Sequence, residues 1–426
     1  CINFWAGFMN YKTYSLLFNL YLIFSVSFFL RLPSRVAALG AIRMDALLVV
    51  IIAVLLMSQK EKIVINPEIR KTIRYVWLIG VFSVITLPLV EWPGSVINTG
   101  LIGFIKAAIF FFFTVKIINT EKQLKIFIFV FIVSNVIRIL EPLWLNQTQG
   151  YWGSQTHLGG EEFAQRLSGA PSDVIGPNGL AFVITSIFPF LHYLLLASGD
   201  RLKQLIYWAI LPVLLFTMVL TMSRTGLLAL AIIGLGVFIK TKHKAVLLLL
   251  VFIGGIGVWG SLNDIQKERY LSITQDDVRG SASSKGRLDG VINNLEVAMR
   301  RPLFGHGLGT SAEANANFGH KWQLAHNLYA EILQEIGIIG LIIFLFFMKS
   351  VIKNFQLSAT IFSSRVTQDS YLLRLNKAMQ VWLLMNILFS FASYGLSSYE
   401  WYLFGGLSVV VARLASQKEY EPSVLK

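Results

Sequence analysis

Three charged side chains, Arg224, Arg287 and His326, have the clearest potential for chemistry in this sequence. Each lies where a hydrophobic segment meets a polar one. An arginine guanidinium carries a permanent charge and a planar fork of donors that matches phosphate oxygens. Histidine titrates near neutrality and is the usual general base for a hydroxyl group. Together the three residues suit glycosyl transfer from a lipid-linked pyrophosphate to a sugar hydroxyl.

Each of these residues also has a simpler, structural interpretation that competes with a catalytic role. Arg224 stands in Ser223-Arg224-Thr225-Gly226, between hydrophobic segments so closely spaced that its charge falls near the membrane interface. A charge at that depth normally faces a cavity or a partner, although an arginine at a helix end can also extend to the interface. Arg287 precedes an amphipathic segment, and taken alone it would be a solvated loop charge.

His326 opens a long hydrophobic segment, with Asn327 beside it and Glu335 and Gly337 further along. A lone histidine at a membrane surface is more often an interfacial side chain. The neighbouring amide of Asn327 and the basic loop upstream favour a functional role here. We therefore expect His326 to be catalytic and Asn327 to contact substrate.

A glycine-rich turn, Gly305-His306-Gly307-Leu308-Gly309-Thr310, lies upstream of this segment. Main-chain amides in such a turn can approach a phosphate, so Gly305 and Gly307 are candidate substrate-binding residues. The turn lacks the flanking strand and helix of a nucleotide-binding loop, and a structural role is the stronger alternative.

Long hydrophobic segments must position these residues. The chain has 426 residues, of which 55% are hydrophobic and 14% charged, whereas a soluble domain averages about 25% charged residues. Apolar runs of about 20 residues cross a bilayer as helices. The sequence therefore predicts an all-α, polytopic integral membrane protein, with residues 1–426 as a single membrane domain. We predict about 12 transmembrane helices, at roughly residues 13–31, 39–57, 75–91, 97–116, 123–141, 177–198, 204–222, 225–240, 244–260, 327–349, 376–393 and 400–415.

The net charge of +14 is a topology signal rather than a nucleic-acid signature. On one side of the predicted membrane, the connections and both termini hold 22 basic residues against seven acidic ones. Cytoplasmic loops carry such an excess of lysine and arginine. The sequence thus predicts that both termini lie in the cytoplasm. The first span lacks a small-residue cleavage site and is expected to be an anchor rather than a signal peptide.

Two long connections fall on the opposite, non-cytoplasmic side. The smaller covers 142–176, and the larger covers 261–326 and carries Arg287 and the glycine-rich turn. The larger one also contains an apolar stripe at helical spacing, which predicts a helix along the membrane interface or over a cavity. The stripe ends before Pro302 and Gly305, and it consists of Leu288, Val291, Ile292, Leu295 and Met299.

Several other polar residues leave alternatives open. Arg138, with Lys106 and Glu141, lies in or at the end of a span and either pairs locally or approaches the lipid phosphate. Asn178 and Asp173 either line a cavity or cap a helix. Arg138 and Asn178 are taken as candidate substrate-binding residues.

No metal site and no disulfide are predicted. His306, His320 and His326 are spaced 14 and 6 residues apart, which matches no common ligand pattern. Cys1 is the only cysteine, so an intrachain disulfide is excluded.

The order and spacing of these motifs resemble those of the bacterial O-antigen ligase and O-antigen polymerase family. The resemblance covers roughly residues 165–350. A tryptophan often follows the Gly-Arg pair in that family, but none stands in residues 288–295, so the contacts of that helix are not implied. The matching motifs are Ser223-Arg224-Thr225-Gly226, Gly286-Arg287, Pro302–Gly309, His326-Asn327 with Glu335-Ile336-Gly337, and Pro177–Ala181.

The resemblance implies transfer of undecaprenyl-pyrophosphate-linked glycans on the periplasmic face of a bacterial inner membrane, without a metal or other cofactor. The connections 142–176 and 261–326 would then be periplasmic. Arg224 and Arg287 would hold the pyrophosphate, and His326 would activate the acceptor hydroxyl. The expected acceptor is the lipid A core, as in a ligase, and the alternative is a second lipid-linked glycan, as in a polymerase. A polysaccharide transporter or flippase is the rival class, which the number of spans suits and the lack of an inverted repeat opposes.

Overall fold

Helices make up nearly all of the computed structural model. It describes residues 2–59, 66–159, 162–240, 264–271, 282–363, 371–393 and 395–417, with a few isolated positions besides. The helices are α1 Ile2–Leu30, α2 Leu32–Arg35, α3 Ala37–Ala41, α4 Met44–Ser58, α5 Pro67–Ile85, α6 Pro93–Ser95, α7 Ile102–Ile117, α8 Glu121–Gln149, α9 Pro177–Leu194, α10 Arg201–Thr221, α11 Arg224–Lys240, α12 Asp264–Leu271, α13 Ala282–Ala298, α14 Ser311–Asn317, α15 Leu328–Ser363, α16 Tyr371–Phe389 and α17 Tyr399–Gln417. The two strands are β1 Gly153–Gly159 and β2 Glu162–Leu167.

The helical membrane architecture agrees with the prediction from the sequence. Every predicted span except 244–260 overlaps a helix, and 244–260 lies largely outside the described residues. The span 39–57 is not one continuous helix, because α3 ends at Ala41 and α4 begins at Met44, after Arg43 with a left-handed φ of 49°. Among the described residues, five helices are long and apolar enough to cross a membrane: Pro93–Ile117, Glu121–Gln149, Pro177–Ser198, Arg201–Thr221 and Leu328–Ser363. The helical class is therefore confirmed, while the count of twelve spans stays a prediction.

The segment 142–176 differs from its prediction in two ways. Pro142 lies inside α8, which continues to Gln149, so the connection begins later than expected. A proline removes one helical hydrogen bond, and membrane helices tolerate this where other groups satisfy the carbonyl. The rest of the segment contains an antiparallel hairpin in which Gly153 pairs with Leu167 and His157 with Phe163.

One compact unit consists of Cys1–Phe131, Val291–Asn376 and Ser393–Lys426. Its centre is α17, which is buried from Trp401 to Ala415 and packs against α7 and α15. Gly405 and Gly406 permit this close packing, because an added Cβ would lie 2.7 Å from Phe347 and 3.0 Å from Phe111 respectively. Small residues at helix crossings are typical of membrane proteins.

The second unit consists of Ile132–Gly290 and Lys377–Ala392. Its most buried helix is α9, which contacts α10 and α11. The crossing is tight at Gly226, where an added Cβ would lie 2.7 Å from Ala181 and 2.8 Å from Met218.

The amphipathic helix predicted in the large connection is present as α13, and it ends before Pro302 as expected. Ile292, Leu295 and Met299 are exposed, whereas Val297 and Ala298 are buried. An exposed apolar stripe on a polar helix is the pattern of a segment lying along a membrane interface.

Candidate active site

Arg224 is the first residue of α11, as the sequence predicted for an arginine that opens a span. The turn before it is tight, because α10 ends at Thr221 and Met222 adopts a left-handed conformation with φ 47°. Ser223 caps the new helix, its Oγ accepting a hydrogen bond of 3.2 Å from the Gly226 N–H. A helix start carries partial positive charge and free N–H groups, so a half-buried arginine there strengthens an anion-attracting position.

Asn178 lies at the start of α9 and supports this turn from the side. Its Oδ1 accepts a hydrogen bond of 2.9 Å from Ser223 Oγ. The same oxygen accepts one of 3.0 Å from Nη2 of Arg166. From the sequence, Asn178 could either line a cavity or cap a helix. In the structure its side-chain oxygen accepts hydrogen bonds from Ser223 and Arg166, and so supports the turn before Arg224.

Arg166 is a residue whose importance the sequence analysis missed. It lies on β2, where alternation buries Ala164 and Arg166 and leaves Phe163 and Gln165 exposed. Its Nε donates to the carbonyl oxygen of Thr221 at 2.9 Å. Thr221 lies 55 residues from Arg166, so the sequence did not show this contact. The local signal was a charged residue at a position that the alternation of β2 predicts to be buried.

Arg138 forms a buried ion pair with Asp173. Its Nε lies 2.6 Å from Asp173 Oδ2 and its Nη2 lies 3.0 Å from Oδ1. Nη1 donates to Asn135 Oδ1 at 3.4 Å. A bidentate pair of this kind occupies the planar fork of the guanidinium. The local-pairing alternative for Arg138 is thus favoured over contact with a lipid phosphate, with Asp173 as a partner that the sequence analysis did not assign to it.

Arg287 lies within α13 and not in a loop before the helix, since α13 begins at Ala282. The side chain of Arg287 lies outside the described residues. Its predicted role on the pyrophosphate therefore stays a prediction.

His326 and Asn327 stand directly before α15. The Oδ1 of Asn327 accepts hydrogen bonds from the N–H groups of Tyr329 (3.0 Å) and Ala330 (3.1 Å), which makes Asn327 the cap of this helix. His326 is half-buried at the mouth of the helix. The cap fixes the backbone next to His326, so Asn327 orients the histidine whether or not its amide also meets substrate.

The glycine-rich turn packs against a break in α15. Gly337 has φ 68° and ψ −173°, a conformation open essentially to glycine alone, and it interrupts the helix. The carbonyl oxygens near the break are free to accept bonds from the turn: His306 N–H donates to Gln334 O at 2.9 Å and Gly307 N–H to Glu335 O at 2.8 Å. Ile338 N–H donates in return to Pro302 O at 2.8 Å.

Gly305 is required by this packing, because an added Cβ would lie 2.4 Å from the main-chain carbonyl of Glu335. The amide of Gly307 is already bonded within the chain. These contacts favour the structural interpretation of Gly305 and Gly307 over phosphate binding.

Two buried carboxylates on α15 hold adjoining loops. Glu335 accepts main-chain hydrogen bonds from Gly309 (2.7 Å) and Ser311 (3.3 Å). Glu331 accepts from Gly395 (2.7 Å) and Leu396 (3.2 Å). The signal in the sequence was two carboxylates four residues apart on an apolar helix, which is costly in a membrane unless each is bonded.

His306 has a packing role. Its fully buried ring lies against Trp92 and Phe318, with centroid distances of 5.9 Å and 5.2 Å. Nε2 lies 2.9 Å from the carbonyl oxygen of Val297, and Nδ1 lies 3.4 Å from Glu91. Within the described part of the chain, no three His, Cys, Asp or Glu side chains are grouped so as to hold a metal ion.

The candidate residues thus form two groups. Arg224, Asn178, Arg166 and Arg138 belong to the second compact unit, and residues 305–337 belong to the first. Each group is built around the start of an apolar helix, one opened by an arginine and the other by a His-Asn pair.

These features define a largely helical membrane protein in which one apolar helix begins at an arginine and another begins directly after a histidine. Residues 209–345 match the family model described as O-Antigen ligase, which confirms the family resemblance. The matched segment contains Arg224, Arg287 and His326 and supports a membrane-bound, glycan-transferring enzyme. No curated protein matches the chain.

Proposed function

We propose that this protein is a membrane glycosyltransferase that moves a glycan from an undecaprenyl-pyrophosphate donor to an acceptor hydroxyl on the periplasmic face of a bacterial inner membrane. The observation that carries the proposal is the placing of Arg224 at the start of α11, inside the segment that matches the O-antigen ligase model. The proposed acceptor is the lipid A core.

The reaction forms one bond to the anomeric carbon of the donor sugar and breaks another. The acceptor oxygen attacks the anomeric carbon of the donor sugar while His326 takes the hydroxyl proton. The bond between that carbon and the pyrophosphate oxygen breaks, and undecaprenyl pyrophosphate leaves with the electron pair. Arg224 and Arg287 stabilise the charge that develops on this leaving group. Permanent cations on the chain would fill the role that a divalent metal ion has elsewhere.

The decisive experiment reconstitutes the full chain in vesicles with an undecaprenyl-pyrophosphate-linked glycan and a lipid A core. A new glycan–core bond, insensitive to EDTA, is the expected product. Elongated lipid-linked glycan made without any core acceptor would assign the protein as a polymerase instead. Movement of the lipid-linked glycan across the bilayer with no new glycosidic bond would assign it as a transporter.

A further inference from the structure

The buried guanidinium of Arg166 ties together three separate segments of the second unit. The side chain is only 7% exposed. Nε donates to Thr221 O at 2.9 Å, and Nη2 donates to Asn178 Oδ1 at 3.0 Å and to Met222 O at 3.5 Å. The residue thus connects the hairpin, the start of α9 and the end of α10.

The end of α10 needs such a donor. The last carbonyl groups of a helix have no partner within the helix and form its negative end. Thr221 and Met222 are buried, and Met222 has φ 47°, a left-handed conformation that is unfavourable for a residue other than glycine unless its surroundings hold it. Ala164, two residues before Arg166, also packs on Met222. The hairpin therefore holds the strained residue by both a polar and an apolar contact.

The same network continues to Arg224. Asn178 Oδ1 accepts from Arg166 and also from Ser223 Oγ, and Ser223 Oγ caps α11 at Gly226. In the sequence, Arg224 lies between Ser223 and Gly226, which this hydrogen bond joins. We infer that Arg166 is a positioning residue, which sets the direction of Arg224 by holding the turn from Thr221 to Ser223.

The inference rests on the proposed function, because that function gives Arg224 its pyrophosphate ligand. It also extends beyond the family match, since Arg166 lies outside residues 209–345. The segment before α9 would then contribute to the donor site without touching the donor.

A double-mutant cycle tests this directly. The purified full chain in lipid nanodiscs is titrated with undecaprenyl pyrophosphate carrying no sugar, for the wild type, Arg166→Gln, Arg224→Lys and the double variant. When residue 224 is arginine, we expect Arg166→Gln to weaken binding about tenfold or more. In the Arg224→Lys background the loss should be less than about threefold, because the effects of substitutions at coupled residues do not add.

Arg413→Gln is the matched control. Arg413 is also buried and donates to two main-chain carbonyl oxygens, those of Val115 and Ile118, but it belongs to the first compact unit whereas Arg224 belongs to the second. Its effect should be the same in both backgrounds. Should Arg166→Gln accumulate poorly, Arg166→Lys replaces it under the same criteria, since an ammonium group cannot reach all three acceptors as a guanidinium does.

The outcomes separate the two hypotheses. Wild-type affinity in the Arg166 variant, or an equal loss in both Arg224 backgrounds, would overturn the positioning role alone. If the wild type does not bind undecaprenyl pyrophosphate, or if Arg224→Lys binds it unchanged, the proposed function fails instead.

Discussion

The carboxylate of Glu335 accepts a 2.7 Å hydrogen bond from the main-chain N–H of Gly309. This bond joins α15 to the glycine-rich turn beside the helix break at Gly337. The glycine-rich turn and the Glu-Ile-Gly motif are therefore two halves of one structure. It includes the first turns of α15, the helix that begins directly after His326 and Asn327.

Replacing Glu335 by glutamine should destabilise this structure. The amide oxygen can accept from Gly309 or Ser311, but its NH2 group would face donors rather than acceptors. Leaving a buried hydrogen-bond partner unsatisfied costs about 1–3 kcal/mol, so a clear drop in the melting temperature of the detergent-solubilised protein is expected. Glu296→Gln is the control, since Glu296 is exposed and its pairing with Arg300 is long at 3.7 Å. Equal melting temperatures for the two variants would contradict this account.

Replacing Gly337 by alanine should be more damaging than replacing Gly234. At Gly337 the added Cβ would lie 2.3 Å from the carbonyl oxygen of Leu303, and the backbone conformation alone costs about 1–3 kcal/mol. Gly234 lies in α11 with no atom within 4 Å of an added Cβ, so alanine there should be neutral or slightly stabilising. Membrane abundance and thermal unfolding measure both. A Gly337→Ala protein as stable as the wild type would mean that the helix break is not needed.

Replacing Arg224 by lysine keeps the charge and loses the planar fork. If Arg224 holds the pyrophosphate by two parallel bonds, transfer should fall by more than about tenfold while protein levels hold. Arg201→Lys is the control, because Arg201 also begins an apolar helix but is exposed and lies on the predicted cytoplasmic side. Full turnover in Arg224→Lys would leave this residue only an interfacial role.

The role of His326 can be read from pH dependence and two substitutions. A general base must be neutral to act, so the rate should rise with pH until the imidazole has lost its proton and then level off. His326→Ala and His326→Gln should both lose transfer yet still bind undecaprenyl pyrophosphate, because the phosphate contacts are assigned to arginines. If His326→Gln retains substantial activity, the histidine donates a hydrogen bond rather than removing a proton.

The predicted topology has its own test. The excess of basic residues on one side predicts that a reporter fused after Gly286 lies in the periplasm and that one fused after Lys242 lies in the cytoplasm. Paired alkaline phosphatase and green fluorescent protein fusions give opposite signals for the two sides. A cytoplasmic signal at both positions would remove the periplasmic site.

The long membrane helices were predictable because they are apolar runs with polar ends. The start of α11 at Arg224 and that of α15 after His326 followed from such changes in composition. Pro142 was misleading, because local sequence does not show whether a membrane helix tolerates a proline.

The contacts that support the candidate residues could not be predicted from sequence patterns. Arg138 meets Asp173 and Arg166 meets Thr221 only after the chain folds back on itself. The glycine-rich turn suggested phosphate because its composition matches a phosphate loop, and composition alone cannot show that its amides bind α15 instead. Long-range partners decide the role of each of these residues.

The break at Gly337 also affects how this region can be exchanged between related proteins. Adding or deleting one residue between Asn327 and Gly337 would rotate the start of α15 by about 100° while the docked turn stayed in place. His326 would then face a different direction although every motif was intact. Residues 302–337 should therefore be exchanged together, and chimeras should be joined outside this segment.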